Sequence, residues 1–174
     1  VFTEEDYQSK DGFLTSVWGP CVWHFLHTTS FNYPIEPTEE DKKHYMDLIT
    51  NLQFTLPCKY CRMNLTKNLK ELPLTMDEMK NRDSFSRYVY NLHEHINKML
   101  NKKSGLTYED VRERYEHFRA RCLASSPKSG TRKKKELGCT QPLYGKKARC
   151  IIKIIPHENK CPTFQIDKKC IKRR

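Results

Sequence analysis

Two cysteines, Cys58 and Cys61, stand two residues apart in the run Pro57-Cys58-Lys59-Tyr60-Cys61. That spacing suits two kinds of chemistry: the sulfurs can close into a reversible disulfide, or supply half of a tetrahedral zinc site. An apolar pattern of helical period follows at Met63, Leu65 and Leu69, so the pair stands at a helix start. Free backbone N–H groups and the positive end of the macrodipole stabilise a thiolate there, and Lys59 adds a charge beside it. Taken alone, the redox and zinc readings are level. A zinc site needs about two more ligands, and residues 1–122 hold no second C-x-x-C, only Cys21, Cys122 and scattered histidines. A thioredoxin-type pair belongs in a βαβ neighbourhood, whereas the flanking segments here read as helices. What remains is a redox pair on helices, which requires an electron acceptor.

Two further helical faces bear on that acceptor. Trp23 and His27 are four residues apart and share a face, as do His93 and Asn97. An aromatic ring with hydrogen-bonding groups on facing helices suits a flat heteroaromatic cofactor with polar edges. Lys98, Lys102 and Lys103 follow, positioned to meet phosphates. Singly, each residue has a plainer role: Trp23 and His27 as core, the lysines as a solvated face.

The elements that must position these groups are legible from periodicity. Ser16–Tyr33 carries Val17, Trp18, Val22, Phe25 and Leu26 at helical spacing and stops at Pro34. Thr38 with Asp41 opens a second helix through Tyr45, Leu48, Ile49 and Leu52 to Leu56. A third runs from Cys58 to about Lys70. In the fourth, Phe85, Val89, Leu92, Ile96 and Met99 form an apolar seam, with Asp83 or Ser84 as its cap. Thr107 and Asp110 open a shorter fifth through Val111, Tyr115 and Phe118. The predicted fold is mainly α: a short bundle of four helices plus a fifth short helix.

Only 37% of the 174 residues are hydrophobic, low for a globular domain, and no apolar run reaches the length of a membrane helix. The acidic start VFTEEDYQSK resembles neither a secretory signal nor a transit peptide. The net charge of +11 is unevenly placed. Residues 123–174 hold 15 Lys/Arg against Glu136, Glu158 and Asp167, while residues 1–122 are nearly balanced, with 17 basic and 18 acidic residues. This divides the chain into a helical domain over 1–122, a basic linker over 123–138 that contains SSPKSGTRKKK, and a basic, cysteine-containing extension over 139–174. The extension has β-leaning runs at Cys150–Ile155 and Phe164–Ile166 around a turn at Pro156–Asn159, predicting a hairpin stapled by Cys139, Cys150, Cys161 and Cys170.

With these motifs in order, the chain resembles the Erv/ALR family of FAD-linked sulfhydryl oxidases. The resemblance rests on Trp18-Gly19-Pro20-x-x-Trp23-x-x-x-His27-Thr28, Tyr33-Pro34 and Pro57-Cys58-x-x-Cys61. It continues in His93-x-x-Ile96-Asn97-x-x-Leu100-x-Lys102 and Val111-x-Glu113-Arg114-Tyr115, spanning roughly residues 14–120. It implies a helical bundle holding FAD, with contacts from Trp18, Gly19, Trp23, His27, Tyr90, His93, Glu94, Ile96, Asn97, Leu100 and Lys102, and with Arg114 and Tyr115 closing over the cofactor. It also implies that thiol substrates attack Cys58, that Cys61 faces the flavin, and that O2 leaves as hydrogen peroxide. A homodimer through the first two long helices is part of the same expectation.

The chain departs from the family pattern at Glu94, where Asn is usual, and at Tyr115, where Trp is usual. Tyr90 and Tyr108 stand where many members have a structural disulfide, and Pro20 resembles the versions carried by large DNA viruses. A viral member would act in the host cytoplasm or virion, a cellular one in the mitochondrial intermembrane space. Cys21 is expected to be a buried free thiol. The four tail cysteines read as structural staples ahead of an electron shuttle. The tail's charge alone admits nucleic-acid contact, but Tyr144 and Phe164 give little base stacking. The rival function is a zinc-binding adaptor for nucleic acid or protein, using Cys58, Cys61 and tail cysteines.

Overall fold

The computed structural model describes residues 2–123, 138–162 and 164–171, with the backbone alone at 122 and 123. By internal contacts the chain divides into two units, Val1–Gly105 and Leu106–Arg174. The linker run 125–135 lies outside the described residues.

The first unit holds α1 (Glu4–Gln8), α2 (Thr15–Phe31), α3 (Glu39–Thr55), α4 (Lys59–Glu71) and α5 (Arg82–Met99). Their starts follow local chemistry. Thr38 and Asp41 form a reciprocal capping box for α3, and the Cys58 side chain caps α4. The cap of α5 is Asn81, boxed with Ser84, rather than Asp83 or Ser84 itself. Ser84 instead serves the box from the N3 position, where its hydroxyl reaches back to the cap backbone. Helix α1 was not expected, because no apolar stripe marks it; the Thr3–Asp6 box and three acidic residues in its first turn make it.

Helix α2 packs on α5, α3 on α4, and α4 on α5. Their shared core is Leu26, Tyr33, Ile49, Leu65, Met79, Phe85, Tyr88, Val89 and Leu92. Each such side chain contributes about 1.5–3 kcal/mol by leaving water. The two core tyrosines place their hydroxyls on main-chain carbonyls, Tyr33 on Met79 and Tyr88 on Leu72, both at 2.9 Å. The seam of α5 is buried only as far as Leu92; Ile96 is half-buried and Met99 is 42% exposed. Met63 on α4 is exposed, as are Val17 and Phe25 on α2. Cys21 lies between those two at four-residue spacing and is an exposed free thiol, not a buried one, because it shares their exposed helix face.

The second unit begins with α6 (Tyr108–Glu116), opened by a Thr107–Asp110 box. Strand β1 (Ala120–Leu123) then pairs antiparallel with β2 (Gly138–Pro142), Ala120 opposite Pro142 and Leu123 opposite Gly138. The hairpin predicted over 150–155 and 164–166 does not form: Cys150–Ile155 carries no strand, although the turn does, with Asn159 N–H donating to Pro156 C=O at 3.1 Å. A β-branched run becomes a strand only where a ladder partner exists, and the partner of β2 is β1. Nor are the four cysteines staples together. Cys139 is disulfide-bonded, while Cys150, Cys161 and Cys170 are free thiols. Tyr115, Phe118 and Phe164 form an aromatic cluster with centroids 6.1–6.4 Å apart.

Candidate dithiol and cofactor site

The Pro57-Cys58 junction stops α3 and starts α4. Cys58 adopts an extended backbone, and its Sγ accepts a hydrogen bond from Cys61 N–H at 3.2 Å. Both cysteines are half-buried thiols. Their acidities are pulled apart. Cys58 is held below the usual thiol range, first by the hydrogen bond from the Cys61 thiol and then by backbone N–H groups and the Thr15 hydroxyl, against an upward push from burial. Cys61 is pushed up, first by burial and then by donating to Cys58. Cys58 is therefore the sulfur of the reduced pair that ionises first. The Thr15 hydroxyl, at the first turn of α2, lies 3.6 Å from Cys61 Sγ.

Two to three turns along α2, Trp23 and His27 meet His93 of α5. The Trp23 and His93 rings stack with centroids 3.8 Å apart and planes 5° from parallel. His27 Nε2 and His93 Nδ1 are 3.0 Å apart, so one ring donates its N–H and the other accepts. Burial is the main cause that lowers both imidazoles, His27 to about 3 and His93 to about 4. For His93, Glu94 pulls upward and Lys102 downward. Both rings are neutral at pH 7. One turn on, Asn97 Nδ2 donates to Glu94 Oε1 at 2.8 Å. The left-handed Asn101 (φ 54°) ends α5 and turns the chain so that Lys102 N–H reaches Asn97 C=O at 2.8 Å.

The other expected contacts fall as follows. Trp18 is half-buried, its indole N–H donating to Phe13 C=O at 3.0 Å. Gly19 is half-buried one residue on, and Tyr90 and Ile96 are half-buried on α5. Leu100 is 48% exposed at the C-cap of α5, and Lys102 is exposed. Arg114 and Tyr115 lie on α6 in the second unit, Tyr115 within its aromatic cluster. Sequence reasoning passed over Thr15, which precedes the apolar stripe and fits no motif. Its only signal is its place at the start of α2.

A helical bundle with a C-x-x-C dithiol at one helix N-terminus and a histidine–tryptophan stack between two other helices defines a redox protein of the cofactor-binding kind. The chain belongs to the Erv1/Alr family, whose pattern it matches over residues 20–135. It is 35% identical over 99 residues to a probable FAD-linked sulfhydryl oxidase, R368, of Acanthamoeba polyphaga mimivirus, covering 57% of this chain and 68% of that protein. It is 32% identical over 98 residues to the FAD-linked sulfhydryl oxidase of African swine fever virus (isolate Pig/Kenya/KEN-50/1950), covering 55% and 80%. The fold matches the crystal structure of the yeast Erv1 core with a TM-score of 0.53 at 22% identity, over 63% of this chain and 89% of that one.

The residues present fit FAD. Trp23 and His93 stack nearly parallel with the His27 ring tilted 35–38° against them, and these rings, the Asn97 amide and the exposed Lys102 are groups that would suit a planar ring with polar edges and a phosphate. A zinc site is not supported: among the described residues no group of three His, Cys, Asp or Glu is placed to hold a metal.

Proposed function

We propose that this chain is an FAD-dependent thiol oxidase that makes disulfides in protein substrates. The observation that carries the reading is the arrangement along α2, which meets Cys61 at its first turn and presents Trp23 and His27 to His93 about 12–18 Å further on, at 1.5 Å per residue. Cys58 and Cys61 are the working disulfide. A substrate thiolate attacks Cys58 Sγ, the Cys58–Cys61 bond breaks, and the electron pair of that bond stays on Cys61 as a thiolate. A second substrate thiolate then attacks the substrate sulfur of the mixed disulfide, releasing the substrate disulfide and leaving Cys58 reduced. A bound FAD would take two electrons from the Cys58/Cys61 dithiol and pass them to O2, giving hydrogen peroxide. Trp23, His27, His93, Asn97 and Lys102 would hold it, with Trp18, Gly19, Tyr90, Glu94, Ile96 and Leu100 around them. The imidazoles, neutral at pH 7, would meet the cofactor without adding charge.

The exposed stripe Val17–Cys21–Phe25 on α2 supports a homodimer through α2 and α3. Viral relatives favour the host cytoplasm or virion as the place of action, and no helix among the described residues is long and apolar enough to cross a membrane.

The test is a visible absorption spectrum taken before and after anaerobic dithiothreitol. A flavin spectrum that bleaches, and returns when air is admitted, is the expected result. Cys61→Ala abolishes the bleaching. A colourless protein that takes up no added FAD overturns the reading.

A further inference from the structure

The N-terminal strap Gly12–Leu14 is fastened to the dithiol loop. Phe13 N–H donates to Pro57 C=O at 2.9 Å. A Cβ on Gly12 would lie 2.5 Å from Pro57 O and 2.9 Å from Cys58 Cα, so only glycine lets the two backbones approach. Trp18 holds the strap from the other side through its indole bond to Phe13 C=O. Between these two anchors stands Thr15. The N-cap of α2 is Leu14, which offers no side-chain cap, and the Thr15 hydroxyl of its first turn lies 3.6 Å from Cys61 Sγ.

We infer that Thr15 is a positioning residue for Cys61. Its hydroxyl donates to the Cys61 sulfur once that sulfur is a thiolate, stabilising and aiming the charge that exchange at Cys58 creates. In that exchange the substrate sulfur forms a bond to Cys58, the Cys58–Cys61 bond breaks, and both of its electrons go to Cys61. The need for such a donor is plain from the surroundings. Burial pushes the Cys61 thiol up, and Thr15 is the side chain whose hydrogen bond lowers it. This rests on the reading of Cys58 and Cys61 as the working disulfide.

The experiment follows the pH dependence of Cys61 alkylation by iodoacetamide in the full chain carrying Cys58→Ser, read by peptide mass spectrometry so that the other thiols do not interfere. A serine at that position keeps the α4 cap. Alkylation needs neither flavin nor oxygen, so it fails or succeeds apart from the oxidase reading. Adding Thr15→Val, which keeps the shape and loses the donor, raises the alkylation midpoint by about one pH unit, roughly a tenfold slowing below the midpoint. Adding Thr15→Ser leaves the midpoint in place. Gly12→Ala, which pushes the strap off Pro57, raises it as Thr15→Val does. A midpoint unmoved by Thr15→Val, or moved as far by Thr15→Ser, overturns the assignment.

Discussion

At the scale of single residues, the His27–His93 pair carries a pH dependence of its own. A hydrogen bond between two imidazole nitrogens needs a lone pair on one of them, so the pair does not survive protonation of both rings. Folded values of about 3 and about 4 lie below the unfolded value of 6.5. Between those limits the unfolded chain binds more protons than the folded one. Stability is therefore full above about pH 6.5 and falls as the pH drops toward 4. The melting temperature of the flavin-free chain should be lower at pH 5 than at pH 7.5, and His93→Gln should flatten that slope. The capping carboxylates Asp41 and Asp110 do not confuse the measurement, because hydrogen bonds from Thr38 and Thr107 hold them below the usual range and they titrate at lower pH.

At the scale of elements, helix starts and one exposed face decide most. Asn81 Oδ1 accepts from Ser84 N–H at 3.0 Å, and Ser84 Oγ accepts from Asn81 N–H at 3.1 Å. This box orients α5, which supplies both the core seam and His93. Asn81→Ala should cost about 1 kcal/mol, measured by urea unfolding, with the unfolding slope unchanged. The outward stripe of α2 is a separate matter. Phe25 is 53% exposed, so Phe25→Glu should leave the helical circular dichroism intact while changing the mass in light scattering from two chains to one. An unchanged mass would remove α2 from the interface.

For the whole molecule, the two units divide the chemistry. The dithiol and the ring stack both belong to Val1–Gly105, whereas the disulfide-bonded Cys139 and the basic excess belong to the second unit. Deleting residues 123–174 removes β2 from β1 yet leaves every residue proposed to hold the cofactor. Oxidation of dithiothreitol, followed as oxygen uptake, should persist in that truncated chain at near the full rate. Loss of bound flavin on truncation would instead make the second unit part of the cofactor fold.

The amino-acid sequence by itself determined the five longer helices, the capping boxes at Thr38 and Thr107 and the cysteine pair at the head of α4. These depend on interactions within a few residues, which leave their mark as spacing. It also marked Trp23, His27, His93 and Asn97 as pairs on two helices. Only the tertiary structure decided that the rings of those two helices stack, and that Thr15 stands at Cys61, 46 residues along the chain. It also decided that β2 takes its partner from Ala120–Leu123 rather than from the isoleucine-rich run after Cys150. Strand pairing and side-chain approach over such distances are set by which surfaces pack together, and no local period records that choice.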